Sequence, residues 1–410
     1  MSPDSIRAIS PKPGPPGAAR IALYSHDTFG LGHLRRSRAI ATALTEANDH
    51  ASALILTGSP VAGRFAFPER VDHTRLPGVS KLEDGSYISK TLGLDIDEVT
   101  QMRAHMVQST IDAYQPDLLI VDKEPTGFRG ELIPTLKGLK SDKTRCVLGL
   151  RDVLDDRDAL AAEWEHKGAY AATEKFYDEI WVYGPRSVYD PTQGLPLSAK
   201  VRARMHWTGY LRRTLPEPDA PPPAEPYVLV TPGGGGDGAA MVDLVLGAYE
   251  YDPGLMPNAQ LVYGPFLSGD TRAEFEDRVA RLNGRVTAVG FDAQIETLYA
   301  GAQGVVCMGG YNTFCEVLSF DKRALIMPRT KPRREQHIRA ACAEELGLVT
   351  MLSELSTELT PAAMAEAIRN LPHQPLPSES GVQELMGGLR YVSRRVETLI
   401  SDMRQQQAVK

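Results

Sequence analysis

A histidine and several charged residues follow the first apolar segment of the chain, where residues 26–38 read HDTFGLGHLRRSR. The two glycines permit a tight loop, and His33 stands where a helix would begin. An imidazole titrates near neutral pH and is therefore suited to general base catalysis. We take His33 as the leading candidate for a catalytic base. Asp27 and His26, at the end of the same predicted strand, are the alternatives.

A second glycine-rich segment, TPGGGGDGAAM at residues 231–241, lies between a predicted strand and a predicted helix. Bare backbone N–H groups and the positive end of a helix dipole form a cradle for an anion such as a diphosphate. The spacing of Gly233, Gly235 and Gly238 also matches GxGxxG, the dinucleotide fingerprint. A nicotinamide enzyme would need an acid at the end of the next strand, but LVYGPF at 261–266 has none. No lysine followed by Ser or Thr is present in the glycine segment, which excludes a P-loop.

The third segment is the region 290–340, in which two glycines end an apolar strand and a helix begins at about Tyr311. Asn312, Thr313 and Glu316 fall on the first turns of that helix, and Glu316 lies within i, i+3/i+4 reach of the other two. A carboxylate at this position is suited to accept hydrogen bonds from two ribose hydroxyls.

Further polar side chains follow strands in the first half of the chain. Asp122, Lys123 and Glu124 follow one strand, and Arg151 and Asp152 follow another. Because the carboxyl ends of parallel strands border the ligand crevice, we expect these residues on the acceptor side of a cleft. Asp122, Lys123 and Glu124 are equally consistent with an ordinary charged loop. The cluster of Arg35, Arg36 and Arg38 favours a solvated helix face over a ligand site. A basic face of that kind would also suit peripheral contact with anionic lipid headgroups at a membrane.

The elements that must position these residues alternate between short apolar runs and longer helical patterns, which is typical of βα units on a parallel sheet. Predicted strands lie near 21–26, 53–58, 117–122, 146–151, 179–183, 227–231, 260–263, 286–290, 304–308 and 324–327. Predicted helices lie near 33–47, 96–114, 239–250, 292–301 and 335–346.

At 410 residues the chain is suited to two α/β domains. Residues 211–226 contain six prolines, which favour an extended linker, and a strand begins directly after them. We therefore predict a flexible tail at 1–19, a domain at 20–210, a linker at 211–226 and a second domain at 227–378. A helix in 379–410 would pack back on the first domain.

Composition excludes several classes of protein. A hydrophobic fraction of 42% with 24% charged residues is that of a globular chain, and no run reaches the ~18 apolar residues of a membrane span. The proline-rich start is not a secretory signal, so we expect a cytoplasmic protein. A net charge of −7 argues against nucleic-acid binding. The four cysteines have no metal-binding or disulfide spacing, so we expect no metal site.

The third segment resembles the donor-binding region of family-28 glycosyltransferases, the family of the peptidoglycan N-acetylglucosaminyltransferase, and more closely a branch of bacterial predicted glycosyltransferases. The resemblance assigns Phe291 and Asp292 to the nucleobase loop and Glu316 to the ribose. Glu335 and Gln336 match the pair that contacts the donor sugar. The remaining matches concern loops: Gly234, Gly235 and Gly236 at the phosphates, Gly309, Gly310, Asn312 and Thr313 near the diphosphate, and Gly32 with His33 in the first domain.

The resemblance implies the GT-B architecture, an α/β fold of two Rossmann-like, doubly wound domains with a cleft between them. It also implies transfer of a sugar from a nucleotide-diphosphate-sugar, with UDP favoured, to a hydroxyl of a glycan, lipid-linked or small-molecule acceptor. The nucleotide sugar is a co-substrate, and no cofactor is required. Transfer would proceed with inversion and without a metal, with Arg333 and Arg334 beside the leaving diphosphate.

Two departures and two alternatives accompany this hypothesis. The loop FGLGH is poorer in glycine than its counterpart in the peptidoglycan enzyme, which leaves the acceptor open. Lys331, Arg333 and Arg334 suit either an acidic sugar or extra neutralisation of the diphosphate. A sugar-nucleotide 2-epimerase on the same architecture and a non-catalytic nucleotide-sugar-binding protein are the competing functions.

Overall fold

The computed structural model describes residues 18–26, 32–82, 86–139, 143–215, 225–234, 236–292 and 294–409. Two of the predicted site residues, Asp27 and Gly235, lie outside these ranges, as does most of the predicted linker.

Helices and strands mostly alternate through the first half of the chain. In chain order they are β1 (Arg20–Ser25), α1 (Gly32–Ala47), β2 (Ser52–Thr57), β3 (Val71–Arg75), β4 (Val79–Lys81), β5 (Tyr87–Ser89), α2 (Ile96–Tyr114), β6 (Leu118–Asp122), α3 (Ile133–Gly138), β7 (Arg145–Arg151), α4 (Arg157–His166), α5 (Ala169–Phe176), β8 (Glu179–Tyr183), α6 (Ala199–Arg202) and β9 (Met205–Trp207).

The second half repeats the pattern and ends in a long helix. Its elements are β10 (Tyr227–Thr231), α7 (Ala239–Tyr251), β11 (Asn258–Val262), α8 (Gly269–Arg281), β12 (Val286–Val289), α9 (Ile295–Gly301), β13 (Gly304–Cys307), α10 (Tyr311–Ser319), β14 (Arg323–Ile326), α11 (Glu335–Glu345), β15 (Thr350–Met351), α12 (Pro361–Asn370) and α13 (Gly388–Ala408).

Each half forms one parallel sheet in the described part of the chain. The first sheet has the order β3-β2-β1-β6-β7-β8-β9, and the second has the order β12-β11-β10-β13-β14-β15. The chain direction across each sheet therefore reverses between β1 and β6, and again between β10 and β13. Ligands of doubly wound sheets bind beyond the carboxyl ends of the strands at such switch points.

The two halves pack against each other through apolar and polar contacts. One buried cluster runs from Leu23 and Ile120 in the first sheet to Val305 in the second. The rings of Tyr210 and Phe314 meet edge to face at 5.3 Å within this cluster. Helix α13 lies against α1 of the first half, so the last helix of the chain contacts the first.

The ten strands predicted from the apolar runs are all present, which confirms the α/β, doubly wound fold class. The prediction missed β3, β4, β5, β9 and β15. Strands β3, β9 and β15 are sheet edges with a partner on one side only, and β4 and β5 form a separate two-stranded hairpin. Such strands are short or partly exposed, so they lack the continuous apolar runs of the central strands. None of the described helices combines the length and apolarity that a membrane-spanning helix requires.

Candidate active site

The two switch points face each other across a cleft between the sheets. The residues that follow β1 and β6 form one wall, and those that follow β10 and β13 form the other, around a cavity of about 490 Å³. Most residues singled out from the sequence line this cavity: His26, Gly32, His33, Lys123, Glu124, Arg151, Gly234, Gly236, Phe291, Asp292, Gly310, Asn312, Thr313, Glu316, Arg333, Glu335 and Gln336.

Asp152 does not line the cleft, contrary to the expectation for the acceptor side. Its carboxylate is buried and accepts hydrogen bonds from the guanidinium of Arg339 in α11, at 2.8 Å and 2.6 Å. The hydroxyl of Tyr210 donates a third bond to it at 3.0 Å. Since both oxygens are engaged, Asp152 joins the two halves beneath the cleft and is not accessible to a substrate.

Gly309 and Arg334 also differ from their expected places. Gly309 does not line the cavity. It has φ +72°, a conformation that favours glycine, and an added Cβ would lie 2.7 Å from Ile326, so this glycine is required by the turn itself. The side chain of Arg334 is half exposed outside the cavity, while its backbone N–H donates to Asp155 at 2.9 Å.

His33 is the first side chain of α1 to reach the cleft, and it pairs with Asp122 at the end of β6. Its Nδ1 forms a short hydrogen bond with Asp122 Oδ2. Arg36, one turn further along α1, donates to both oxygens of the same carboxylate at 2.8 Å and 2.6 Å. The carboxylate fixes the tautomer in which Nδ1 carries the proton, so Nε2 keeps its lone pair.

Burial and the neighbouring charges set the protonation states of His33 and Asp122. Burial lowers the pKa of His33 to about 4, although Asp122 opposes the shift. Burial alone would raise the pKa of Asp122, but Arg36 and His33 outweigh it and hold that pKa well below its ordinary value. At neutral pH the pair is therefore a neutral imidazole hydrogen-bonded to a carboxylate.

His26 lies beside His33, with ring centroids 5.7 Å apart. Its Nδ1 is buried and has no hydrogen-bond partner among the described residues. Burial lowers the pKa of His26 to about 3, even though Glu124 acts in the opposite direction. His26 lacks the carboxylate contact that orients His33, so the structure distinguishes the two histidines by their partners.

Two of the three arginines of α1, Arg35 and Arg36, do not lie on the solvated helix face that was expected for them, whereas Arg38 is partly exposed. Arg36 is only 1% exposed, and Arg35 crosses the cleft to the second half of the chain. There its Nη2 lies 2.5 Å from Glu316 in α10 and 2.9 Å from Glu296 in α9. Glu316 is buried beneath this contact, and burial raises its pKa while Arg35 opposes the rise.

The opposite wall includes backbone groups from two glycine turns. The turn after β10 carries Gly233, with φ +77°, then Gly234 and Gly236, and leads into α7. Gly310 caps the N-terminus of α10 without a side-chain cap, so the first N–H groups of that helix are left for a ligand or solvent. Asn312 ties this helix to the other wall by donating to the carbonyl of Gly32 at 3.0 Å.

Arg329 is a cleft residue that sequence reasoning missed. Its guanidinium makes short contacts with Asp237 after the glycine turn and with Glu335 at the start of α11. Its backbone N–H donates to the side chain of Gln336 at 3.1 Å. Arg329 follows β14 by three residues, so its position at a strand end was the signal that could have identified it.

A network of lysines and glutamates closes the first wall. Lys123 lies 3.1 Å from Glu124, and Lys167, also missed from the sequence, lies 2.9 Å from the other oxygen of Glu124. Lys167 and Arg333 both contact Glu163, at 2.6 Å and 3.0 Å. Arg333 thus connects the two halves of the chain. Among the described residues, no three His, Cys, Asp or Glu side chains are grouped to hold a metal ion.

Known proteins resemble this chain in two ways: a family domain matches the second half of the sequence, and solved structures match the whole fold. Residues 234–384 match the glycosyltransferase family 28 C-terminal domain. No curated protein matches the chain by sequence.

Solved glycosyltransferases share the fold over nearly their whole length. MurG of Acinetobacter baumannii is 12% identical, with coverage of 93% of this chain and 99% of MurG, at a TM-score of 0.56. UGT2 of Phytolacca americana, solved with UDP-2-fluoro-glucose and pterostilbene, is 15% identical, with coverage of 96% and 99% and a TM-score of 0.59. The glycosyltransferase VinC, solved with dTDP, is 17% identical, with coverage of 94% and 100% and a TM-score of 0.58.

The fold is therefore that of the GT-B glycosyltransferases, with the cleft at the two switch points. The matched domain and this fold together indicate a glycosyltransferase of the GT-B type. The resemblance to family 28 inferred from the third segment is confirmed for the C-terminal part of the chain.

Proposed function

We propose that this chain transfers a sugar from a nucleotide-diphosphate-sugar, with UDP as the favoured nucleotide, to an acceptor hydroxyl with inversion at the anomeric carbon and without a metal. The observation that carries the proposal is the pairing of His33 with Asp122 on one wall, opposite glycine turns and a buried glutamate on the other. One wall supplies a general base, and the other supplies a binding site for the diphosphate and the ribose.

Proton transfer follows from the state of His33. Its Nδ1–H donates to Asp122, so Nε2 accepts the proton of the acceptor hydroxyl as that oxygen attacks the anomeric carbon. The bond between the anomeric carbon and the β-phosphate oxygen breaks, and its electron pair leaves with the nucleoside diphosphate. Asp122 stabilises the imidazolium that forms, and Arg36 keeps Asp122 in place.

The departing diphosphate needs positive partial charge, since its negative charge develops as the bond breaks. The backbone N–H groups of the turn at Gly233 and Gly234 and the N-terminus of α10 would supply it. Arg329 adds a cation next to Glu335 and Gln336, the pair assigned to the donor sugar. Backbone groups and a guanidinium thus take the place that a divalent cation has in other transferases.

The nucleoside would lie along the loop at Phe291 and Asp292. The ring of Phe291 meets that of Phe65 edge to face at 6.2 Å, so aromatic surface from both walls borders this end of the cleft. Glu316 would accept hydrogen bonds from the ribose hydroxyls and is held by Arg35 in the free protein. Backbone hydrogen bonds from a loop of this kind suit a pyrimidine, which favours uridine.

A two-stage experiment tests the proposal. Thermal unfolding with uridine, guanosine and thymidine diphosphates identifies the nucleotide, because a ligand bound only by the native state raises the midpoint by mass action. The matching nucleotide sugar is then incubated with an acceptor library, and release of the nucleoside diphosphate is followed. An epimer formed without any acceptor would instead indicate a 2-epimerase, and tight diphosphate binding without turnover would indicate a binding protein.

A further inference from the structure

Arg151 differs from the other cationic side chains of the cleft. It is the last residue of β7 and lines the cavity, yet its guanidinium has no hydrogen bond or ion pair within the described ranges, and its Nε is enclosed. Carboxylates hold the others: Arg35 with Glu296 and Glu316, Arg36 with Asp122, Lys123 with Glu124, Lys167 with Glu124 and Glu163, Arg329 with Asp237 and Glu335, and Arg333 with Glu163 and Asp155.

Arg151 is partly buried, and a cation in such a place without a partner is costly, because the charge loses water and gains no compensating bond. Burial lowers the pKa of Arg151 to about 10, with Glu335 acting in the opposite direction, so the group is still charged at neutral pH. A charge that lines the cavity with its Nε enclosed and unpartnered is accounted for if an anion binds it together with the substrate.

Lys123 provides a second and independent indication at the same place. It follows β6, the strand that pairs with β7, and its backbone has φ +69°. This left-handed conformation is unfavourable for a residue other than glycine, and functional sites retain such strain when a side chain must point in a particular direction. Its side chain is 13% exposed and lines the same cavity as Arg151.

The position of this pair indicates which substrate carries the anion. Arg151 and Lys123 extend from the first sheet, on the wall of His33, whereas the glycine turn and Glu316 belong to the second sheet. On the basis of the proposed function, we propose that Arg151, assisted by Lys123, binds a carboxylate or phosphate group of the acceptor. The acceptor is then an anionic molecule whose charged group lies close to the hydroxyl that His33 deprotonates.

Titration of the UDP-saturated protein with inorganic phosphate, followed by calorimetry, tests the anion site. UDP fills the diphosphate cradle, so phosphate reports the second site. Arg151→Gln should weaken phosphate binding by about tenfold or more, since a hydrogen-bonded charge is lost, and Arg151→Lys should retain part of it. Arg186→Gln, which removes an exposed arginine of the same half, serves as the matched control and should bind phosphate normally.

Two further measurements separate the possible failures. UDP affinity is determined first for each variant, and a chain that binds no UDP contradicts the proposed donor. A UDP-bound wild type that does not bind phosphate, or an Arg151→Gln variant that binds it unchanged, would overturn the anion site. Arg151→Gln should also raise the thermal midpoint of the free protein, because it removes an uncompensated charge, so that lost phosphate binding is not attributable to misfolding.

The donor sugar is the other conceivable source of the anion. Wild type and Arg151→Gln are therefore compared for binding of UDP-glucose and UDP-glucuronate. If the ratio of the affinities for UDP-glucose and UDP-glucuronate is the same in both proteins, the acceptor assignment is supported. A preference of the wild type for UDP-glucuronate that disappears in Arg151→Gln would show that the anion belongs to the donor sugar, and the acceptor assignment would be wrong.

Discussion

The two walls of the cleft are built from equivalent positions of two similar sheets, yet they present different groups. The wall of the first sheet presents side chains: His33, Asp122 and Arg36 form one hydrogen-bonded unit. The wall of the second sheet adds to its side chains the backbone N–H groups of the turn at Gly233 and Gly234 and of the start of α10.

This difference separates two chemical tasks. Backbone N–H groups cannot titrate, and they bind an anion with the same strength over a wide pH range. A histidine held by a carboxylate can exchange a proton but contributes little to the binding of a nucleotide. Substitutions on the first wall should therefore change turnover, and those on the second should change donor affinity.

The largest expected effect tests the base. His33→Gln should lower kcat/KM by about 10²–10⁴ with the affinity for UDP nearly unchanged, because general base catalysis is lost while the opposite wall is intact. Steady-state kinetics and calorimetry with UDP measure the two quantities separately. His105→Gln, on the exposed face of α2, is the matched control. Normal turnover of His33→Gln would disprove the assignment of the base.

The second prediction tests the opposite wall. Glu316→Gln should weaken UDP binding by about ten- to hundredfold, since a charged acceptor of ribose hydrogen bonds is replaced by a neutral amide. Calorimetry measures the change, with Glu276→Gln on the exposed face of α8 as the control. If UDP binds Glu316→Gln as it binds the wild type, the ribose lies elsewhere.

The third prediction concerns pH and the first wall. His26 and His33 have pKa values lowered to about 3 and about 4, so they stay neutral in the folded chain while the unfolded chain protonates them below about 6.5. The free energy of unfolding should therefore fall as the pH falls from 7.5 to 5.0, by about 2 kcal/mol for each histidine.

Urea unfolding at the two pH values measures this dependence. The double variant His26→Gln/His33→Gln should lose most of it, because glutamine does not titrate. Burial acts to raise the pKa of Glu163, but Arg333 and Lys167 outweigh it and lower that pKa to about 2. Protonation of Glu163 therefore reduces the free energy of unfolding only below about pH 4.5. An unchanged pH dependence in the double variant would mean that these histidines are hydrated in the folded protein.

The smallest effect concerns the contact between the walls. Arg35 forms an ion pair with Glu316 in the free protein. A ribose that forms hydrogen bonds with the same carboxylate must therefore displace Arg35. Arg35→Gln should then strengthen UDP binding, by about two- to tenfold, the equivalent of one hydrogen bond. Calorimetry distinguishes this from the opposite result, weaker binding, which would show that Arg35 contacts the nucleotide itself.

Sequence reasoning located most of the cleft because its signals are local. A glycine turn after an apolar run marks a strand end whatever the rest of the chain does, which is why Gly234, Gly310 and Glu316 were found. Arg36 and Asp152 show where this reasoning fails. Both are charged residues that a local pattern assigns to a solvated or substrate-facing position, and both are buried by partners far along the chain.

The order of βα units, the central strands and the glycine turns were determined by the sequence alone, because hydrophobic periodicity and backbone freedom act over a few residues. Only the tertiary structure decided the partners of the charged groups. His33 and Asp122 are 89 residues apart, and Arg35 and Glu296 are 261 apart. An ion pair depends on distance in space, and the sheets must form and pack before any of these charges acquires its partner or, as for Arg151, is left without one.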